Sequence, residues 1–213
     1  METKTNLYAY ALWLAVFTVG YNFIEGLVSV YFGMEDEALT LFGFGLDSFI
    51  ETISALGIVN MTYRLKNDSS LERSPFEILA LKITGWSFYA LAFALAAGAV
   101  IGLIEQRSPE TTLSGIIISS ISIFSMWLLI KLKKDVGRKL GSDAIIADAN
   151  CNLVCMYMSF ILLASSLLFE FTGIAYFDIL GAAGLIWFSV KEGKEAFEKA
   201  AGKECGCEDE CKV

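Results

Sequence analysis

The amino-acid sequence predicts an all-α integral membrane protein with six transmembrane helices and both termini in the cytoplasm. Three observations carry this. Of 213 residues, 55% are hydrophobic and 19% charged, with mean hydropathy +0.58 and two prolines. Soluble domains have about 45–50% apolar and about 25% charged residues. Six apolar runs reach membrane-crossing length, and the connections between them alternate in basic content. The same composition argues against collagen, disorder and a disulfide-stapled secreted scaffold, since only five residues are Cys.

The runs cover residues 7–32, 38–63, 76–104, 113–130, 144–169 and 174–190, each 17 to 29 residues long. At 1.5 Å per residue, such lengths cover a hydrocarbon core of about 30 Å. In lipid each must be a helix, because every backbone amide needs a partner within its own segment. The first run is too long for a cleaved signal peptide, and no small-residue cleavage pattern follows it.

Fourteen of the 16 basic residues fall in the N-terminus, the second and fourth connections and the segment after the sixth run. The first connection is GMEDE, and the third holds Arg107 alone. Basic loops on alternate sides are the positive-inside signature, which puts both termini in the cytoplasm. No nucleic-acid partner is expected. The organisation predicted is a transmembrane domain over 1–190 and a short cysteine- and acid-rich cytoplasmic tail over 191–213, whose end, ECGCEDECKV, is expected to be flexible.

The chain has no histidine. A metal site must therefore use carboxylate, thiolate, amide or backbone groups, and a pH switch cannot use imidazole. Charged residues inside a span are costly, so each is a functional candidate. The second run carries Asp47 and Glu51 four residues apart, on one helix face, where two like charges repel and a divalent cation relieves the repulsion. The fifth carries Asp148, Cys151 and Cys155 on one face. Thiolates bind soft and borderline cations, although cysteines in an apolar helix also serve simply as small packing groups.

Counting depth from the helix starts in a core of about 30 Å puts Glu51 level with Cys151 and Asp47 level with Cys155. If the two helices are neighbours, the four residues form an O₂S₂ set suited to tetrahedral zinc, with cadmium or another soft divalent ion as alternatives. Glu25 either lines the same pathway or reaches the outer interface, Asp178 is expected at the interface, and Lys82 snorkels to the inner surface. Cys205, Cys207 and Cys211 lie among acidic residues in the tail. They either capture metal in a reducing cytoplasm or belong to a solvated end.

These residues carry a resemblance. Six spans, LTLFGFGLDSFIETISALG in the second and IADANCNLVCMYMS in the fifth resemble the cation diffusion facilitator family of divalent-metal transporters. Asn22 falls where family members often carry an asparagine. The chain departs from the family pattern at Glu51, at Cys151 and Cys155, and in having no counterpart of the family's soluble domain within its 213 residues. In these respects it is similar to the branch around transmembrane protein 163.

The resemblance implies export of a divalent metal, zinc foremost, by alternating access in exchange for protons, and a homodimer held through the spans. Local chemistry is compatible with exchange, because the four site residues must lose protons to hold the ion. The Gly98-x-x-x-Gly102 pair permits close helix contact, within one subunit or between two. Two rivals stand beside transport: a membrane metal sensor without flux, and a thiol oxidoreductase using Cys151 and Cys155. The second is disfavoured by the poor bridging geometry of two cysteines four apart on a helix. No nucleophile–base set points to an enzyme.

Overall fold

The computed structural model describes residues 4–67, 75–105 and 108–202, with backbone alone at positions 4, 5, 65–67, 76, 77, 143, 144, 147, 148 and 151. It contains six helices: α1 Lys4–Glu35, α2 Leu39–Asn67, α3 Pro75–Glu105, α4 Leu113–Leu140, α5 Asp143–Thr172 and α6 Tyr176–Ala200. Turns of two or three residues join α1 to α2, α4 to α5 and α5 to α6, which folds these consecutive pairs back as antiparallel neighbours. Gly141 and Gly173 end α4 and α5 at φ +63° and +67°, a left-handed stop that glycine takes without strain.

Five helices are long and apolar enough to cross a membrane: Asn6–Glu35, Leu39–Arg64, Ile78–Glu105, Leu113–Leu140 and Asn152–Thr172. The sixth predicted span departs from this. From Tyr176 to Val190 α6 has 15 residues before Lys191 and Glu192, about 22 Å of helix against a core of about 30 Å.

Two predicted connections are helical. α4 was expected to end at position 130 but runs to Leu140, so Lys131, Lys133, Lys134, Arg138 and Lys139 occupy its last three turns. These residues favour helix, proline is absent, and basic groups at a helix C-terminus complement its dipole. Likewise α6 carries the first ten residues of the expected tail, to Ala200, whereas the end expected to be flexible lies outside the described residues. Cys205, Cys207 and Cys211 lie outside the described residues.

The helices bury polar faces and expose apolar ones, as lipid requires. On α1, Ala11, Leu14, Thr18, Asn22, Glu25 and Ser29 are buried at three- and four-residue spacing, whereas Trp13, Phe17, Ile24, Leu27 and Tyr31 are exposed. α2 packs against α1, α3, α5 and α6 and is the central helix. One apolar cluster joins α2, α3, α5 and α6 around Phe44, Leu95, Met158, Leu162 and Leu185. A second joins α1, α4 and α5 around Leu14, Met126, Leu129, Val136 and Cys155.

Glycine lets α1 and α2 approach closely. A Cβ on Gly45 would stand 2.6 Å from the Val30 backbone nitrogen, and one on Gly33 would collide with the backbone of Phe42. Gly98 instead faces Leu39 of the same chain, while nothing lies within 4 Å of a Cβ at Gly102. The Gly98-x-x-x-Gly102 pair is thus divided between an internal contact and an open position.

Asp178, in the first turn of α6, is buried within the protein at 4% exposure. Its carboxylate accepts the Leu39 and Thr40 amides at 2.9 and 3.0 Å, while the Thr40 hydroxyl donates to its carbonyl at 2.5 Å. α6 thereby caps the first turn of α2, supplying acceptors to amides that have no partner within their own helix. Asp178→Ala is expected to cost about 1–3 kcal/mol, the usual range for stranding buried hydrogen-bonding groups. Unfolding in detergent measures it, and Asp178→Asn, retaining one acceptor, should lose less.

Candidate cation site

Between the two apolar clusters lies a layer of buried polar side chains from α1, α2, α4 and α5. Burial there follows from the helical stripes: Asn22 and Glu25 continue the inward face of α1, Asp47 and Ser48 that of α2, and Cys155 and Ser159 that of α5. Two polar groupings form within it.

The first centres on Glu51. The Cys155 thiol donates to Glu51 Oε1, and Asn22 Nδ2 donates to Glu51 Oε2 at 3.2 Å. Three helices therefore meet at one carboxylate. Asp47 is 2% exposed and within Coulombic reach of Glu51. Two oxygens here are buried without a hydrogen-bond partner: Asp47 Oδ1 and Asn22 Oδ1. Unpartnered buried oxygens are rare in folded proteins, and a missing water or ion is one usual cause.

The second centres on Glu25, which is 7% exposed. Tyr21 donates its hydroxyl to Oε1 at 2.9 Å, and Ser48 Oγ lies 3.2 Å from Oε2. Ser122 of α4 stands beside it, and Ser159 Oγ is 2.9 Å from both Ser122 Oγ and the Cys155 carbonyl oxygen.

Glu51 meets Cys155, one helical turn from the level expected by taking distance from a helix start as depth. These helices are 29 and 30 residues long, about 44 Å, so their ends lie beyond a slab of about 30 Å. The side chains of Cys151 and Asp148 lie outside the described residues. Among the described residues, no group of three or more Cys, Asp or Glu is gathered closely enough to hold a metal ion as it stands.

Sequence reasoning missed two charged residues near the site. Lys133, assigned to a loop, is 1% exposed and donates from Nζ to Asn152 Oδ1 at 3.3 Å. Its position on the stripe Ser119, Ser122, Met126, Leu129, Val136 is the periodic signal that could have found it. Glu192, assigned to the tail, has a buried Oε1 without a hydrogen-bond partner and lies within Coulombic reach of Asp47 and Glu51.

Burial, with Glu195 nearby, pushes the Glu192 carboxyl from 4.5 up to about 7. The folded chain then holds a proton that the unfolded chain releases above pH 4.5. The sign follows: the stabilisation from this group is full below about pH 4.5 and is lost as pH rises through about 7. Glu192→Gln is expected to flatten the stability profile over that interval, as read by unfolding midpoints across a pH series.

No family model matches the chain. It is 24% identical over 177 residues to transmembrane protein 163 of Xenopus laevis, covering 83% of this chain and 61% of that protein. It is 27% identical over 169 residues to a protein of Methanocaldococcus jannaschii named an uncharacterized transporter, covering 78% and 59%. The chain thus spans about three-fifths of the length of these curated relatives. With five helices long and apolar enough to cross a membrane, the likeness to transmembrane protein 163 supports a multi-pass membrane protein.

Proposed function

We propose that the protein is a divalent-metal transporter of the cation diffusion facilitator type, with zinc as its foremost cargo and cadmium as a soft surrogate. The carrying observation is the Glu51–Cys155 pair, buried at the meeting of three helices beside the unpartnered oxygens of Asp47 and Asn22. Carboxylate, amide and thiol on neighbouring helices are a mixed oxygen–sulfur donor set for a borderline cation. Cys151, one turn before Cys155, supplies the second sulfur. The relative named a transporter supports transport as the class of activity.

The Cys155 thiol proton lies between sulfur and Glu51. A metal ion binding there takes the proton's place, since thiolate is the ligand and thiol is not. Metal occupancy and proton occupancy therefore exclude one another, as an exchanger requires. Basic residues at alternate loops orient both termini to the cytoplasm, so that exchange exports metal. α6, too short to span alone, crosses with its neighbours as a sixth span. Cys205, Cys207 and Cys211 collect metal for the pathway, and two copies pair through their spans.

The test is zinc or cadmium uptake by proteoliposomes under an imposed pH gradient. The expected result is flux that follows the gradient and falls in Asp47→Asn and Cys155→Ser. Stoichiometric binding without flux selects a sensor, and an oxidised Cys151–Cys155 pair without metal binding selects a thiol oxidoreductase. Flux untouched by both substitutions rejects the site.

A further inference from the structure

Glu25 is buried, yet it has no part in the grouping around Glu51, and its setting is of a different kind. Among the described residues its carboxyl meets hydroxyl groups alone, from α1, α2 and α4: Tyr21 at 2.9 Å, Ser48 at 3.2 Å and Ser122. No basic side chain among them is paired with it. A buried carboxylate in such surroundings is costly, whereas a carboxylic acid is a neutral hydrogen-bonding group.

The serines of this shell have second acceptors. Ser48 Oγ is 3.1 Å from the Phe44 carbonyl oxygen one turn earlier on α2. Ser159 Oγ, 2.9 Å from Ser122 Oγ, is equally close to the Cys155 carbonyl oxygen. A hydroxyl has one hydrogen and two lone pairs. When the Ser48 hydroxyl donates to Phe44, as serines within helices do, a lone pair faces Glu25 Oε2. That lone pair is the acceptor a carboxylic acid needs. When the same hydroxyl turns toward Oε2, it serves a carboxylate. The Tyr21 hydroxyl donates to Oε1 in both cases. The shell therefore fits Glu25 with its proton and without it, by turning hydroxyls and moving no helix.

Glu25 is also in register with the metal site. Asn22 meets Glu51 and Glu25 meets Ser48, which are successive rungs three residues apart on two antiparallel helices. Three residues rise about 4.5 Å, so the Glu25 carboxyl lies about one turn from Glu51, toward the α1–α2 turn. Two serines, Ser122 and Ser159, also link it to the Cys155 backbone. The titratable groups around Glu25 are Tyr21 on its own helix, Asp47 and Glu51 on α2 and Cys155 on α5. From α4 it is faced by Ser122.

We propose that Glu25 is a proton-holding residue, a carboxylic acid while the metal site is empty, which gives up its proton when a divalent ion binds one turn away. The O–H bond of the acid breaks, its electron pair stays on the carboxylate and the proton goes to solvent. Together with the Cys155 thiol proton, two positive charges leave as two enter, so the buried charge is unchanged. With both termini cytoplasmic the α1–α2 turn is external, and Glu25 then lies on the side from which protons return. The release rests on the metal-transport reading, and the proton held in metal-free protein does not.

Infrared spectra of metal-free, full-length protein in lipid at neutral pH, taken as wild type minus Glu25→Gln, test the first half. The expected result is a carboxylic-acid C=O band that moves to higher frequency in Tyr21→Phe, which removes the hydrogen bond to Oε1. If Glu25→Gln fails to fold, the shift in Tyr21→Phe makes the assignment. Carboxylate bands in place of the acid band, or no shift in Tyr21→Phe, overturn the proposal. So does an acid band that turns to carboxylate when sodium replaces potassium, which would make the shell a monovalent-metal site.

Cadmium tests the second half. Its binding is expected to remove the acid band from wild type. In weakly buffered solution wild type is expected to release about one proton more per bound ion than Glu25→Gln. A band that persists with cadmium bound, or equal proton counts, overturns the release. A wild-type protein that binds no cadmium, with the acid band in place, rejects the transport reading and leaves the proton-holding residue standing.

Discussion

Glu51→Gln is expected to lower metal affinity and flux by about ten- to a hundredfold, the range for losing a metal ligand's supporting contacts or more. The substitution keeps shape and volume, and a carboxamide can still accept the Cys155 proton at its oxygen. What it removes is the negative charge around which α1, α2 and α5 converge. The amide also presents an N–H₂ group, which a cation repels and which competes with Asn22 Nδ2 for the same neighbourhood. The bundle should therefore persist while the site loses its attraction for metal. Metal flux and detergent unfolding, measured together, separate these effects: flux is expected to collapse while the unfolding midpoint stays near wild type or rises. A midpoint lowered in proportion to flux would make Glu51 a structural residue.

Gly45→Leu is expected to have the opposite profile, with stability lost by about 3 kcal/mol or more, at the upper end for overpacked interiors. Most obstacles to a side chain at Gly45 are fixed: the Val30 backbone nitrogen at 2.6 Å and Ser29 Cβ at 2.8 Å. Neither can rotate away, so α1 and α2 must separate. That separation carries Asn22 off Glu51 and Ser48 off Glu25, since both contacts cross the α1–α2 seam. Metal binding falls with stability here. Gly20→Leu is the control, because nothing lies within 4 Å of a Cβ at that exposed position on α1, the other helix of the pair. Thermal unfolding of the two variants should differ by most of the Gly45 effect, and equal midpoints would mean that the close seam contributes little.

Much of this architecture is legible in the sequence because lipid leaves few choices. Apolar runs of membrane-crossing length must be helices, and buried polar residues must share an inward face. Asp47, Glu51 and Cys155 were found that way, and the structure brings Glu51 and Cys155 together. Helix ends were less legible. Lys131–Leu140 read as a connection because charge signals water, yet the same residues are good helix formers and extend α4 through three more turns. Lys133 was hidden by that error, and Glu192 by the matching one on α6. Asp178 was hidden differently. Its partners, Leu39 and Thr40, lie almost 140 residues away, and no local pattern encodes a cap supplied by another helix. The shift of one turn between Glu51 and its cysteine partner comes from helices longer than the bilayer is thick.

The most direct measurement is a cadmium titration of purified full-length protein in which Cys205, Cys207 and Cys211 are replaced by Ser, following the ultraviolet thiolate-to-cadmium charge-transfer band. The expected result is a band that saturates at one ion per chain, is lost or sharply reduced in Cys155→Ser and is weakened in Glu51→Gln. A band unchanged by Cys155→Ser, or no band until the three tail cysteines are restored, would contradict a cation site between α1, α2 and α5.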